Sequence, residues 1–137
     1  MIVFDAGVLI AHLDAEDAHH AAAEAFLEEN EEFDFAASAL TIAECLVRPV
    51  LAGRVTTVLA AFERLHLLQL DLPASDAAGI AEVRGATGLR MPDAIVVHAA
   101  ERHGAALATT DAAVARAARS RGIIAHLVAR ADVGRPG

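Results

Sequence analysis

The sequence predicts an α/β domain built on a mainly parallel sheet with helices on both faces. Three observations carry this. Short apolar β-type runs alternate with longer helical patterns, as parallel strands joined by helical crossovers do. No repeat or low-complexity linker divides the 137 residues, a length that suits one domain. The chain is 55% hydrophobic, enough to build a core without disulfides or a structural metal.

The elements follow in order. Ile2-Val3-Phe4 reads as a first strand ending at Asp5. Ala18 to about Glu32 reads as an acidic amphipathic helix with Ala22, Phe26 and Leu27 on its buried side. Phe33 to Ala36 is a short strand. Ser38 is placed to cap a helix running through Glu44 toward Leu51, which Gly53 can end. Residues 54–65 form the next helix, and Leu67 to Leu70 a strand. Residues 74–87 read as helical despite Gly79 and Gly85. Pro92 suits the first position of a helix that runs to about His103 and is capped by Gly104. Ala105 to Ala108 is a strand. Asp111 then caps a helix of residues 112–121, stopped by Gly122, and Ile123 to Val128 is the last strand. The tail beyond Arg130 is expected to be loose.

Composition narrows the function. The single cysteine, Cys45, excludes a disulfide framework and a cysteine-rich zinc site. The N-terminus has no basic region before its apolar run, and no apolar stretch approaches the roughly 20 residues of a membrane helix. A soluble, cytoplasmic protein is expected. The net charge of −8 argues against a nucleic-acid partner at first sight, but the charge is unevenly spread. Residues 1–47 hold 11 of the 19 acidic residues and no arginine. Residues 48–137 hold all 11 arginines and the other eight acids, a net of +3. There is no lysine, which GC-rich coding alone would also produce. Arginine still suits phosphate, because its planar fork donates two parallel hydrogen bonds.

Four carboxylates interrupt apolar surroundings where charge is costly. Asp5 follows the first strand. Glu44 lies within Ala39-Leu40-Thr41-Ile42-Ala43-Glu44-Cys45-Leu46. Asp93 precedes Ala94-Ile95-Val96-Val97, and Asp111 follows the strand at Ala105–Ala108. Parallel sheets place ligands outside the carboxyl ends of their strands, and all four can converge there. Each has a structural role open to it: Asp111 as an N-cap, Asp93 at the positive end of a helix dipole, Asp5 in a turn. Glu44 is the hardest to place structurally, since a buried unpaired carboxylate is disfavoured. Clustered carboxylates need protons or cations, and hard oxygen ligands suit Mg²⁺ or Mn²⁺. Such a metal activates water and stabilises charge on a phosphoryl group, so the natural chemistry is phosphodiester hydrolysis.

The segments Met1-Ile2-Val3-Phe4-Asp5, Ser38-Ala39-Leu40-Thr41-Ile42-Ala43-Glu44, Leu89-Arg90-Met91-Pro92-Asp93-Ala94 and Leu107-Ala108-Thr109-Thr110-Asp111 give the chain a clear resemblance. In order and spacing it resembles the PIN-domain family, specifically its VapC-like toxins. The resemblance implies one domain over residues 1–130 with a short tail, 131–137, and a five-stranded parallel sheet. It implies a Mg²⁺- or Mn²⁺-dependent endoribonuclease, the toxin of a type II toxin–antitoxin system. Such an enzyme works as a homodimer held inactive by a cognate antitoxin. Asp5, Glu44, Asp93 and Asp111 match the family's acidic positions, as catalytic residues and metal ligands. The products expected are RNA fragments with 5′-phosphate and 3′-hydroxyl ends. At Gly7 the chain departs from the family, which often carries Ser, Thr or Asn there.

Other residues offer secondary roles. Thr109 or Thr110 can orient Asp111 or cap its helix. Arg90 can meet phosphate or pair with the acidic cluster. Arg116 and Arg119 share a helix face suited to RNA backbone or solvent, with Arg121 nearby. The histidines lack metal-ligand spacing and are expected at surfaces or helix ends. Val55, Val58, Leu59 and Phe62 can line a groove for an antitoxin helix or belong to the core.

Rival classes fit less well. A haloacid-dehalogenase-type phosphatase needs a second Asp at Gly7. A receiver domain needs a lysine. A nucleotide-binding domain needs a glycine-rich phosphate loop. The alternative that remains is a catalytically weakened PIN-like module that binds RNA or protein.

Overall fold

The computed structural model describes residues 1–130; the expected tail at 131–137 lies outside the described residues. Among the described residues, five strands form one sheet: β1 (Ile2–Phe4), β2 (Phe35–Ser38), β3 (Leu68–Leu70), β4 (Ala106–Thr109) and β5 (Ala125–Leu127). All pairings are parallel, in the order β3-β2-β1-β4-β5. Seven α-helices connect or flank them: α1 (Ala6–Leu13), α2 (His20–Glu29), α3 (Ala39–Leu51), α4 (Val55–Arg64), α5 (Ala77–Thr87), α6 (Met91–His103) and α7 (Ala112–Ser120). Among the described residues, no helix is long and apolar enough to cross a membrane.

The alternation of β1 divides the interior in two. Ile2 and Phe4 point into one core with Val8 and Leu9 of α1, Ala23 and Leu27 of α2, and Val58 and Phe62 of α4. Val3 points the other way, into a core with Val83 of α5, Val96 and Val97 of α6, and Val114 and Ala118 of α7. Phe4 is wedged edge-on between Phe26 and Phe35, with ring centroids 6.0 and 5.1 Å away. Helix α3 bridges the cores, with Ile42 and Cys45 in the first and Leu40 against the second.

The structure differs from the sequence expectations in instructive places. Helix α1 is an element without a sequence signal, because Ala6–Leu13 is apolar nearly all round and carries no amphipathic period. Helix α2 is shorter than expected, and Ala23 and Leu27 are its buried residues, with Ala22 and Phe26 partly buried beside them. Strand β2 lies two residues later than expected. Pro92 is the second residue of α6 rather than the first, and Arg90 takes the N-cap. Gly53, Gly104 and Gly122 all adopt positive φ, which suits the helix-ending roles read for them.

The strand order creates a switch point. From β1 the chain moves outward to β2 and β3, then returns to place β4 on the other side of β1. The crevice between the carboxyl ends of β1 and β4 is where such sheets bind ligands.

Candidate active site

Two of the four carboxylates flank that crevice. Asp5 leaves β1 with its N–H bonded to the Ala108 carbonyl of β4, at 2.9 Å. Its backbone is extended, so it caps α1: Oδ1 accepts the Ala6 N–H at 2.8 Å. Its other oxygen accepts the Thr109 hydroxyl at 2.7 Å. Asp111 follows β4 and caps α7, its Oδ1 accepting the N–H groups of Ala113 and Val114 at 2.8 and 3.4 Å. Asp93 arrives from the other direction. Helix α6 runs down to Gly104 and feeds β4, so its first turn, which holds Asp93, lies at the carboxyl edge.

Glu44 corrects one expectation. It is not buried: Thr41, Ile42 and Cys45 form the inward side of α3, and Glu44 is exposed beside them. It still feels the charges of Asp5 and Asp93.

The electrostatics show the four together. Burial pushes the Asp5 carboxyl up, the Thr109 and Ala6 hydrogen bonds hold it down, and Asp111 pushes it up again. Asp93 is raised by burial and then by Asp5, with Arg90 opposing and Asp111 adding. The Glu44 carboxyl is partly walled off by the site; that desolvation raises it first, then Asp5 and Asp93, against Arg90. Asp5 acts on Asp93 and Glu44, Asp93 on Glu44, and Asp111 on Asp5 and Asp93.

The neighbours sort into site and scaffold. Thr109 is fully buried and orients Asp5, while its oxygen also accepts the Asp111 N–H at 3.0 Å. The sequence expectation linked it to Asp111 alone; only the pairing of β1 with β4 brings it to Asp5. Arg90 is 85% exposed and lies 3.8 Å from Asp93, a loose ion pair with the cluster. Arg119 is structural, donating to the Ala125 carbonyl at 2.7 Å. Arg121 pairs with Glu101 and Glu82, and Arg116 is exposed. Cys45 is buried, its thiol pushed up to about 12 by burial and by Glu44 and Asp5, so it is no nucleophile. His98 departs from the surface role expected of most histidines: it packs into the α5–α6 contact over Gly79, 3.6 Å from Asp76. Val58 and Phe62 belong to the core, while Leu59 is exposed.

Among the described residues, no three Asp, Glu, His or Cys side chains are gathered closely enough to hold a metal as they stand. The donor set nevertheless fits a hard dication. It offers only oxygens, and three of its members are desolvated and repelling. Mg²⁺ keeps several waters and needs only one or two protein carboxylates directly.

Fold and site define a class, a small α/β domain with an acidic cleft at the switch point of a parallel sheet. The chain belongs to the PIN-domain family, whose model, described as "PIN domain", matches residues 2–120. PIN domains are generally nucleases. Among solved structures, the chain is similar to "Structure of FitAB bound to IR36 DNA fragment", with a TM-score of 0.73 and 19% identity over 100% of both chains. It is also similar to "Crystal Structure of FitAcB from Neisseria gonorrhoeae", with a TM-score of 0.65 and 23% identity over 91% of this chain and 96% of that one. A "Toxin-antitoxin complex from Klebsiella pneumoniae" gives a TM-score of 0.66 and 21% identity over 81% and 87%. These likenesses establish the fold. No curated protein matches the chain significantly.

Proposed function

We propose that the chain is a divalent-metal-dependent endoribonuclease acting as the toxin of a toxin–antitoxin pair. The observation that carries it is the meeting of Asp5, Glu44, Asp93 and Asp111 at the switch point, three of them destabilised as anions by burial and by one another. Asp5 and Asp93, the two aspartates raised by burial, would hold Mg²⁺ or Mn²⁺, with Glu44 and Asp111 as their partners. The ion supplies activated water and charge stabilisation at a phosphodiester. The protein's own part is positioning. Thr109 and the Ala6 N–H fix both Asp5 oxygens. The Asp111 carboxylate is anchored on α7. Arg90, exposed at the rim, is free to swing to an RNA phosphate.

With water as nucleophile, the RNA's 2′-hydroxyl is a bystander, and fragments carry 5′-phosphate and 3′-hydroxyl ends. An antitoxin partner is supported by the structural neighbours, which include a toxin–antitoxin complex. The homodimer and a cytoplasmic location belong to the same proposal. The chain offers exposed apolar residues on α3 for a partner, with Val47 and Val50 about 60% exposed and Leu51 84%.

The test incubates purified protein with candidate RNAs, in Mn²⁺ or in chelator, and maps fragment ends. Asp5→Asn is the control. Its amide can still accept from Ala6 and donate to Thr109, so the fold holds while the charge is lost. Loss of a group that merely supports a metal ligand costs about 10–100-fold, so losing Asp5 itself should exceed roughly 100-fold. Chelator-resistant cleavage, cyclic-phosphate ends, or full activity in Asp5→Asn would each refute the mechanism. A second function, a PIN-like module that binds RNA without cutting it, is favoured by one observation, the spacing of the carboxylates. Metal-dependent cleavage that Asp5→Asn abolishes would eliminate it.

A further inference from the structure

Gly7 lies in the first turn of α1, two residues after Asp5. Its backbone does not call for glycine; the positive-φ glycines are Gly53, Gly88, Gly104 and Gly122. Glycine within a helix costs about 1 kcal/mol relative to alanine. Its presence is explained by space. A Cβ on residue 7 would come within 3.0 Å of Thr110 Oγ1, closer than real Cβ atoms come, while Thr110 Cβ and Cγ2 would stay at 3.5 and 3.6 Å. It is therefore the hydroxyl of Thr110, not its methyl, that rests against the bare α-carbon.

That hydroxyl is uncommitted. Thr109, one residue earlier, uses its hydroxyl twice, toward Asp5 and from the Asp111 N–H. Thr110 makes no side-chain hydrogen bond among the described residues, yet it is only part-buried, and its oxygen is not among the buried polar atoms lacking a partner. It is open to solvent between the start of α1 and Asp111. The carboxylates around it offer only acceptors, and a phosphodiester's free oxygens are acceptors too. A neutral donor is what such a site needs to hold a phosphate against its own acids.

We propose that the Thr110 hydroxyl is a substrate-positioning group that donates to a non-bridging oxygen of the RNA phosphodiester, and that residue 7 is glycine to make room for it. This role rests on the ribonuclease function proposed above. No bond is made or broken by Thr110; it holds the phosphate while Asp5 and its partners act.

The experiment uses the full chain and two readouts. One is Mn²⁺-dependent cleavage of an RNA that the wild type cuts. The other is equilibrium binding of a short labelled single-stranded RNA in chelator, where no cutting occurs. A hydrogen bond to a charged group predicts that Thr110→Val weakens RNA binding and raises KM by about tenfold, with kcat changed less. Thr110→Ser should retain both. Gly7→Ala should match Thr110→Val, because the added methyl displaces the hydroxyl. The double variant should be no worse than either single one, the mark of two residues acting through one contact.

Thr110→Val that binds and cuts like wild type, beside an inactive Asp5→Asn, overturns this role and leaves the ribonuclease intact. Equal losses in Thr110→Ser and Thr110→Val overturn it too, since they would mark packing rather than the hydroxyl. Full cleavage by Asp5→Asn removes the ribonuclease mechanism and this role with it. If no RNA is cut, binding decides: equal affinity of wild type and Thr110→Val overturns the contact, and a tenfold loss restored by Thr110→Ser supports it.

Discussion

At the amino edge of the sheet, where α6 and α7 end, Arg121 stands between Glu101 and Glu82, and Arg102 donates to Asp76 at 2.9 Å. At the carboxyl edge, where α1, α6 and α7 begin, the four carboxylates have a single ion pair among the described residues, the exposed Arg90 at 3.8 Å from Asp93. The consequences differ in sign. At the amino edge the Glu101 hydrogen bond pushes the Arg121 guanidinium above its ordinary value, so charge is favoured there. At the carboxyl edge Asp5, Glu44 and Asp93 are all raised, so charge is disfavoured. The same sheet thus pairs its acids where they only need to be stable and leaves them unpaired at its switch point. Such separation of satisfied from unsatisfied charge marks a functional site more sharply than acidic composition does.

The largest effect after loss of Asp5 should come from neutralising that edge with a cation. A carboxyl raised above its ordinary value, 3.8 for Asp5 and Asp93, favours folding at low pH. That contribution is lost as pH rises through the folded value. The metal-free protein should therefore lose stability from this cluster between acidic and neutral pH. Mg²⁺ or Mn²⁺, if it binds the ionised cluster as proposed, should reverse the loss. At a hundredfold excess over Kd the gain is about 2.7 kcal/mol, or roughly 10 °C in Tm for a chain of this size. Thermal melts with and without metal, at about pH 7.5 and about pH 5, should show a shift that shrinks at the lower pH. Asp93→Asn should lose most of it. An equal shift in Asp93→Asn, or none in the wild type, would separate the acidic edge from metal binding.

Thr109→Val probes how the edge is held. Valine matches threonine in shape but removes the donor to Asp5 and the acceptor for the Asp111 N–H. Orphaning such groups costs about 1–3 kcal/mol each when buried. Disturbing a ligand's support costs about 10–100-fold in activity. The hydrogen bond from Thr109 also holds Asp5 down. Without it the acid limb of the pH–rate profile should move to higher pH, and Thr109→Ser should restore it. A stability loss with an unmoved profile would make Thr109 purely structural.

Each acid stands out in the sequence because it breaks an apolar context, Asp5, Asp93 and Asp111 near element ends and Glu44 inside α3. Asp111 was readable as a cap and is one. What escaped depended on tertiary contacts. Asp5 is a helix cap rather than a turn residue, and α1 is hard to read because a helix that is apolar nearly all round has no amphipathic period. Glu44's apolar neighbours suggest burial, yet neighbours on a helix lie about 100° apart, and that angle puts it outside. The Thr109–Asp5 bond spans 104 residues and exists only in the β1–β4 register. The strand order was also invisible residue by residue, though it alone decides that Asp5 and Asp111 flank one crevice.

The smallest effect should come from the amino edge. Arg121 is 18% exposed and meets Glu101 and Glu82 from two different helices. Partly solvated ion pairs contribute about 1 kcal/mol or less, because hydration and side-chain entropy offset the attraction. Arg121→Ala should lower Tm by only a few degrees, roughly 3–5 °C. Salt should narrow the gap to wild type, since added ions screen exposed charges. Cleavage should stay at the wild-type rate, because the pair lies at the opposite end of the sheet from Asp5. Melts at low and high salt, with a cleavage assay at a temperature where both proteins are folded, measure all three. If Arg121→Ala kept its Tm but lost cleavage, the amino edge would be part of the RNA-binding surface. The contrast between a structural and a functional edge would then fail.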